Sequence, residues 1–316
     1  MTENASQKLR YRGRLSQIGI YFAKFLRMFV YQSDWKVIPI GAAIAALVTL
    51  VIGRNLFYTQ EGTANGTFAL VCVCIWNGFF NSIQVVCRER DIVKREHRSG
   101  MHISSYIIAH MLYQLILCLL QTLITLLICN IVGIKFPQAG VITKWGELDI
   151  GITFLLVTYA ADVMALMVSC IVKTTTTAMT VVPFLLIYQL LFSGNMFQLG
   201  NADVLKVTTI SHWGINSLCS VGRYNDLPMV TLWNTLVKFK DVPINGQKPL
   251  LEILVNMEKN GMREDFLLWS GQNNGNPAYD GIFANVLPSW GILVLMTVIF
   301  AVIAVIALKC IDRDKR

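Results

Sequence analysis

Six apolar stretches, each long enough to approach the thickness of a membrane, constrain this chain more than any other feature. They cover residues 37–53, 67–87, 103–132, 150–172, 178–194 and 286–308. A bilayer core requires about 20 predominantly apolar residues per helix. The segment 88–102 between the second and third stretches is dense in charge, and a charge at the bilayer centre costs about 3 kcal/mol. We therefore predict an all-α polytopic membrane protein with six transmembrane helices and a water-exposed charged segment held beside the membrane.

The composition and the distribution of charge support this class. Hydrophobic residues make up 54% of the chain and charged residues only 15%, against about 25% charged in a typical soluble domain. Most Lys and Arg residues lie in the N-terminal arm, in 88–102 and in the C-terminal tail. Basic segments stay on the cytoplasmic side, which predicts a multi-pass plasma-membrane protein with both termini cytoplasmic. Anionic lipid headgroups account for the net charge of +8 without a nucleic-acid partner.

The remaining segments complete the predicted domain organisation. We expect residues 1–34 to form a basic arm without a cleavable signal peptide, followed by an amphipathic helix. We place this helix in the membrane interface rather than on a soluble domain. Spans one to five and the charged segment occupy 35–194, the sixth span 286–308 and a cytoplasmic tail 309–316. The 195–285 segment has turn clusters and is large enough for a domain. We predict an exterior α/β cap, with a binding module for an extracellular partner as the alternative.

Motifs for catalysis and metal binding do not occur in the 316 residues. The chain contains no GxxxxGK[ST] phosphate loop, no GxSxG and no HExxH, so we expect no enzyme activity of its own and no cofactor in this chain. Its four His residues are scattered without the spacing of metal ligands, and we predict no metal site. Among eight Cys residues only Cys219 lies in the exterior segment, where it is either free or bridged to a second copy.

Two polar features inside the spans have both structural and functional interpretations. Asn77, Asn81 and Gln84 recur at i, i+4 and i+7 and form one polar stripe on the second span. Such a stripe faces either a partner helix or a cavity, and structural bonding and substrate contact are both open. Asp162, near the middle of the fourth span, either bonds to a neighbouring helix or carries protons; we favour the structural role.

A series of motifs resembles ABC exporters of the G subfamily and their bacterial ABC-2-type permease relatives. Two glutamates seven residues apart precede a Ser-Gly and a Ser-Ser-Tyr that starts the third span. The matching stretches are Glu89-Arg90-Asp91, Arg95-Glu96-His97-Arg98-Ser99-Gly100, Ser104-Ser105-Tyr106, Tyr159-Ala160-Ala161, Met164-Ala165-Leu166, Phe192-Ser193-Gly194, Ser211-His212-Trp213 and Asn216-Ser217-Leu218. Their joint order on six spans carries the resemblance, over roughly residues 10–310.

The resemblance implies two membrane subunits, each with an interfacial elbow helix, six spans and an exterior cap, seated on two ATPase subunits. The ATPase, with its ATP and Mg, is expected on a separate polypeptide. Residues 88–102 correspond to the coupling helix that contacts it. The coupling residues implied are Arg88, Glu89, Arg90, Asp91, Arg95, Glu96 and Gly100. Glu89 and Glu96 would orient this helix through ion pairs with the ATPase or a neighbouring span; the alternative is two charges on a solvated face.

The resemblance also implies a substrate pathway along a two-fold axis between two permease subunits, lined by spans two and five. The residues expected there are Asn77, Phe80, Asn81, Gln84, Leu186, Ile187 and Leu190. The exit gate corresponds to Gly194, Asn195 and Met196, where drug-exporting relatives carry a pair of leucines. The chain's Asn195-Met196 therefore predicts a different plug.

The function that these observations favour is the permease subunit of an ATP-driven ABC exporter. Its partners would be a separate ATPase, a second copy or a paralogous permease, the lipid bilayer, and a small amphipathic, lipid or peptide cargo. Two alternatives remain: a membrane scaffold or sensor with an exterior ligand-binding domain, and an ion-driven carrier that uses Asp162.

Overall fold

A computed structural model of the chain describes residues 13–31, 34–195, 200–243 and 247–310, and within these ranges the chain is helical without a β-strand. Thirteen α-helices follow one another in the described residues. They are α1 (Arg14–Tyr31), α2 (Val37–Ile52), α3 (Gln60–Ser82), α4 (Val85–Arg88), α5 (Arg90–Arg98), α6 (Ile103–Val132), α7 (Gly146–Ile171), α8 (Thr175–Leu191), α9 (Ile210–Val221), α10 (Thr231–Lys238), α11 (Pro249–Lys259), α12 (Arg263–Asn273) and α13 (Phe283–Lys309).

Five stretches of the described residues are long and apolar enough to cross a membrane, whereas the sequence predicts six. The five are Val37–Asn55, Gln60–Arg88, Ile103–Val132, Gly146–Ile171 and Phe283–Lys309. The predicted fifth span, 178–194, corresponds to α8, which is apolar but has only 17 residues. At 1.5 Å per residue such a helix is about 26 Å long, slightly less than the roughly 30 Å of a hydrocarbon core.

The second span begins earlier than its hydrophobicity indicates. The sequence places its start at residue 67, whereas α3 begins at Gln60. Thr59 caps this end, because its side chain accepts a hydrogen bond from the backbone N–H of Gly62 at 3.1 Å. Glu61 in the first turn favours the same start through the helix dipole. A polar first turn therefore hides the beginning of the helix from a hydropathy pattern.

The centre of the bundle is the close packing of α3 against α7. A Cβ atom at Gly78 would lie 2.4 Å from the backbone oxygen of Thr158 and 2.8 Å from the Cβ of Ala161. Only a glycine permits this approach, as is common where membrane helices meet. α9 and α13 complete the core, where Trp290 Nε1 donates to Thr153 Oγ1 and Ser217 Oγ, each at 2.9 Å.

The predicted α/β composition of the exterior segment is wrong for its described part. Residues 200–243 and 247–285 form helices α9 to α12 and short 3₁₀ turns, and they contain no strand. The apolar positions at 249–262 therefore belong to helix α11 and its end. Cys219 is a free thiol in the last turn of α9, fully buried, with its Sγ 3.4 Å from Thr67 Oγ1. Burial raises the pKa of this thiol to about 12.

The start of α3 attaches this segment to the bundle. Gln60 Nε2 donates to the backbone oxygens of Tyr224 and Gly271, at 3.2 and 2.8 Å. Glu61 Oε1 accepts the backbone N–H groups of Val230 and Thr231 at the beginning of α10. Because these partners lie more than 160 residues away, they hold the segment firmly against the end of the second span.

Candidate functional site

The predicted coupling segment folds as two short helices and a turn. Glu89 separates α4 from α5, and α5 ends at Arg98. Gly100 then adopts a φ of +103°, a conformation that side-chain-bearing residues rarely take, and the chain turns back into α6. The sequence resemblance predicts a short helix here, and the structure contains one.

The two glutamates of this segment face α1. Lys24 Nζ lies 3.6 Å from Glu89 Oε2 and 3.5 Å from Glu96 Oε1, so one ammonium group bridges both carboxylates. The hydroxyl of Tyr21 donates to Glu96 Oε2 at 3.1 Å. Burial, together with the charge of Glu96, raises the pKa of Tyr21 and keeps this hydroxyl a donor. Glu89 is buried and is therefore not a charge on a solvated face.

Gln17 makes a second connection between α1 and this segment. Its Oε1 accepts the backbone N–H of His102 at 2.9 Å, and its Nε2 donates to the backbone oxygen of Gly100 at 3.2 Å. Both bonds fix the turn that leads from α5 into α6. Nothing in the sequence pairs Gln17 or Lys24 with partners 65 to 85 positions away; the signal that remains is that both lie on the polar face of the amphipathic helix.

Arg90 connects the same segment to α7. Its guanidinium donates to the backbone oxygens of Cys170 and Val172, both at 3.0 Å. These carbonyls are at the C-terminal end of α7, where no further backbone N–H is available and where a positive charge is favourable. The sequence predicts Arg90 as a coupling residue, and the structure shows that it holds the end of α7.

The other face of α5 is exposed. Asp91, Ile92 and Arg95 point away from α1, and Ile92 exposes 40% of its surface. An apolar side chain between two charged ones is the composition of a small protein contact. Of the predicted coupling residues, the structure thus places Asp91 and Arg95 on an outer face and the glutamates on an inner one.

The residues of the polar stripe on the second span have different surroundings: two are buried against neighbouring helices and the third is half-buried beside a cavity. Asn81 and Gln121 of α6 exchange two amide hydrogen bonds, at 2.9 and 3.0 Å. Asn77 is buried and packs against α2, where a Cβ at Gly41 would lie 2.7 Å from its Oδ1. Gln84 is half-buried and borders a cavity together with Phe80 and Asn81. The structural interpretation therefore applies to Asn81.

Asp162 is fully buried and joins three helices. Ser82 Oγ of α3 donates to Asp162 Oδ1 at 2.7 Å. Gln114 Nε2 of α6 donates to Ser82 Oγ at 3.0 Å, so that α3, α6 and α7 share one polar network. Within the described part of the chain, Asp162 Oδ2 has no hydrogen-bond partner. This is the interhelical bond that the structural interpretation of Asp162 requires.

The predicted pathway residues of the fifth span lie on α8. Ile187 exposes 58% of its surface, whereas Leu186 and Leu190 are half-buried. Gln189 on the other face is buried and fixes α8 to α9, since it accepts the backbone N–H of Ser211 through Oε1 at 3.2 Å. This bond orients α8 so that Ile187 faces outward.

The predicted exit gate lies at the corner between α8 and α9. Gly194 has a φ of +80°. Beside it, His212 Nδ1 lies 3.2 Å from the backbone oxygen of Ser193, and Nε2 lies 3.1 Å from Asn216 Nδ2. A carbonyl only accepts and an amide N–H donates, so His212 is the neutral Nδ1–H tautomer. Burial lowers its pKa below 6.5 and agrees with that form.

Asn195 completes this corner, because its Nδ2 donates to the backbone oxygen of Ala64 on α3 at 3.0 Å. The gate residue is thus bonded to the second span instead of presenting an apolar plug. Met196, the other predicted gate residue, lies outside the described residues. In the part of the chain that the structure describes, no three His, Cys, Asp or Glu side chains come together to hold a metal ion.

The described residues form a helical bundle with several apolar helices long enough to cross a membrane and a charged helix bonded to its end, which is the architecture of a multi-pass membrane protein. The family model of the ABC-2 type transporter matches residues 18–213, which include most of α1, all of α2 to α8 and the start of α9. The chain belongs to this family. It is accordingly a transmembrane permease component of an ABC transporter, a class that works with an ATPase subunit and is not itself catalytic. No curated protein matches the chain.

Proposed function

We propose that this chain is the permease subunit of an ATP-driven exporter and forms the substrate pathway at a two-fold interface with a second copy or a paralogous permease. The ATPase, with its ATP and Mg, is a separate subunit that contacts 88–102. The membrane is the plasma membrane, with both termini and this segment on the cytoplasmic side. Family membership supports the permease assignment, and the two-faced α5 helix is the observation that supports the coupling role.

Coupling requires that a push on α5 reaches the spans. The inner face of α5 is bonded to α1 through Lys24, and Arg90 is bonded to the end of α7. A displacement of the outer face would therefore move α1 and α7 together with α5. Surface ion pairs contribute only about 0–1 kcal/mol each, but Glu89 is buried and the several bonds act on one short helix. The segment is consequently suited to transmit motion as one body.

The proposed interface between subunits uses apolar side chains that the single chain leaves exposed. Phe80 and Trp76 of α3 expose 37% and 39% of their surfaces, and their rings lie 5.1 Å apart. Ile187 of α8 exposes 58%. A permease partner would enclose such side chains around a pathway with apolar walls. Walls of this kind suit an amphipathic, lipid or peptide cargo.

The coupling role is tested by reversing one charge on the outer face of α5. Arg95→Glu is compared with Lys240→Glu, a charge reversal at another exposed residue, in the exterior segment. Each variant is copurified with the ATPase subunit, and ATP hydrolysis is measured in proteoliposomes. We expect Arg95→Glu to reduce ATPase retention and hydrolysis severalfold, with Lys240→Glu near wild type. Equal activity of both variants would overturn the coupling role, although the family assignment would stand.

The direction of transport is tested in the same proteoliposomes with a fluorescent amphipathic dye. ATP added outside reaches only those transporters whose 88–102 segment faces outward. Export then appears as accumulation of the dye inside the vesicles. Loss of preloaded dye from the vesicles under the same conditions would contradict the exporter assignment.

A further inference from the structure

A nine-residue 3₁₀ helix, Gly200–Thr208, follows the exit corner in the chain. Two of its side chains are apolar and strongly exposed, since Val204 exposes 78% of its surface and Val207 exposes 47%. A 3₁₀ helix has three residues per turn, so residues i and i+3 lie one above the other. Val204 and Val207 therefore share one face, and at a rise of about 2 Å per residue they form an apolar ridge about 6 Å long, the valine ridge.

The charges of the same helix indicate that the valine ridge lies in water. Asp203 and Lys206 are also three residues apart and share a neighbouring face, where Lys206 Nζ lies 2.6 Å from Asp203 Oδ2. The side chain of Asp203 is 56% exposed. A carboxylate is unfavourable in hydrocarbon, so this short helix does not lie in the lipid core. In water, apolar side chains grouped on one exposed face are typical of a contact with another protein.

Hydrogen bonds hold this helix against the end of α8. The hydroxyl groups of Tyr188 and Thr208 are hydrogen-bonded to each other. On the side of α9, Trp213 Nε1 donates to the backbone oxygen of Val207 at 2.8 Å. Tyr188 directly follows Ile187, the exposed residue of α8 in the proposed pathway. The valine ridge is therefore attached to the end of the helix that is proposed to line this pathway.

Symmetry identifies the partner of the valine ridge. In the proposed function, α8 lines a pathway on the two-fold axis between two permease subunits. A surface beside such an axis contacts the same surface of the second subunit. The side chain of Asn195 supplies no apolar contact there, because its Nδ2 donates to the backbone oxygen of Ala64 on α3 at 3.0 Å. The valine ridge is the next exposed apolar surface along the described chain.

We propose that the valine ridges of two copies of this chain meet at the two-fold axis and close the exit of the pathway. The inference rests on the proposed function and adds the residues that seal its exit. A constriction lined by apolar side chains excludes water and thereby closes a pathway. Because Tyr188 is bonded to Thr208, a movement of α8 carries the ridge with it and separates the two copies. The seal begins ten residues beyond Gly194, the position after which drug-exporting relatives carry their leucine pair.

The test cross-links the valine ridges of two copies. Val204→Cys is introduced into the full chain together with Cys310→Ser, which removes a thiol that is exposed in the native chain. Ile253→Cys on α11 is the matched control, because Ile253 is an apolar residue of the exterior segment that is 53% exposed. Two differently tagged copies are coexpressed with the ATPase subunit, copurified and treated with a short, reducible bismaleimide in proteoliposomes. We expect a covalent dimer with Val204→Cys and little with Ile253→Cys.

The same samples show whether this contact closes the exit. We expect the cross-link at Val204→Cys to abolish ATP-dependent accumulation of the fluorescent dye, and a reductant to restore it. Val204→Ser combined with Val207→Ser makes the ridge polar, so preloaded dye should leak severalfold faster in the absence of ATP. Ile253→Ser should leak like wild type.

The outcomes separate this inference from the proposed function. Copurified tagged copies without a Val204→Cys cross-link would overturn the seal and leave the two-fold pathway in place. Failure of the two tagged copies to copurify would overturn the paired assembly of this chain, and the seal with it. A cross-linked Val204→Cys protein that transports normally would show a contact that is not a gate and would refute the seal. Labelling of Val204→Cys by a lipid-attached maleimide, instead of cross-linking, would place the ridge against the bilayer and contradict the proposal.

Discussion

Gly78 offers the strongest test of the packing at the centre of the bundle. In the structure, a Cβ at this position would lie 2.4 Å from Thr158 O, 2.8 Å from Asp162 N and 2.8 Å from Ala161 Cβ. Two of these three atoms belong to the backbone of α7 and cannot rotate away. Gly78→Ala must therefore separate α3 from α7 or distort one of them.

The expected change in the free energy of unfolding of Gly78→Ala is the sum of two opposing contributions. Added atoms in a packed core cost about 1–3 kcal/mol. Replacing a helical glycine by alanine gains about 0.5–1 kcal/mol from backbone entropy in water. Gly291 provides the matched control, because it also lies within a membrane helix, α13, and a Cβ at this position would meet no neighbouring element of the described chain within 4 Å. The difference between Gly78→Ala and Gly291→Ala isolates the packing contribution, about 1–3 kcal/mol.

The assay is reversible unfolding of each variant in mixed micelles with increasing SDS, followed by circular dichroism. We expect Gly291→Ala to unfold near the wild-type midpoint and Gly78→Ala at a clearly lower SDS fraction. Gly78→Ala should also lose transport, since α3 and α7 both border the polar network. Equal midpoints of the two variants would refute the close approach of α3 to α7.

Three further outcomes follow from the site. Lys24→Met removes the cation that bridges Glu89 and Glu96. We expect this variant to insert normally but to lower ATP-dependent transport in proteoliposomes severalfold. Unchanged transport would contradict a role of this bridge in coupling. Asp162→Asn should keep folding and transport, whereas Asp162→Leu should lose about 0.6 kcal/mol or more of stability; a folded Asp162→Asn protein without transport would instead favour the ion-driven carrier. The pKa of His212 lies below 6.5 in the folded protein, so as the pH falls the unfolded state takes up this proton at a higher pH than the folded state does. The stability that neutral His212 contributes is therefore complete above pH 6.5 and declines as the pH falls below it. Thermal midpoints measured from neutral pH to about pH 5 should fall for wild type and change less for His212→Asn, and parallel curves would argue against the neutral tautomer.

The apolar pattern predicts the membrane helices well where their ends carry a sequence signal. The third span, 103–132, coincides with α6, because Gly133 at a φ of +86° ends the helix as a glycine at this position does. α8 begins at Thr175 instead of 178, since the Thr174 side chain caps it by accepting the N–H of Thr177 at 3.2 Å. Such a start is polar and disappears in a hydropathy pattern. The exterior segment lacks a strong period, and the expected strands are helices in its described part.

The sequence predicts which residues belong to the candidate site better than it predicts which residues they bond to. The resemblance, through the spacing of Glu89 and Glu96, predicts a coupling segment at 88–102, but no local rule connects these glutamates with Lys24 across more than 60 residues. Side-chain hydrogen bonds between distant elements depend on the packing of whole helices, which a single sequence does not encode in any readable pattern. Arg90 illustrates the same point, since its bonds to the end of α7 go to backbone oxygens, which leave no trace in the sequence.

The polar stripe on the second span shows why side-chain partners must be known before a residue is assigned as a cargo contact. A polar side chain in hydrocarbon requires a partner, and a neighbouring helix satisfies that requirement as well as a cargo molecule does. Asn81 is already paired with Gln121, so a transport defect in Asn81→Ala would have a structural explanation and would identify no cargo contact. Ile187 has an apolar, exposed side chain, so Ile187→Ala removes exposed apolar surface and breaks no hydrogen bond. Altered cargo preference in Ile187→Ala with unchanged stability would therefore locate the pathway more securely than any change in the polar stripe.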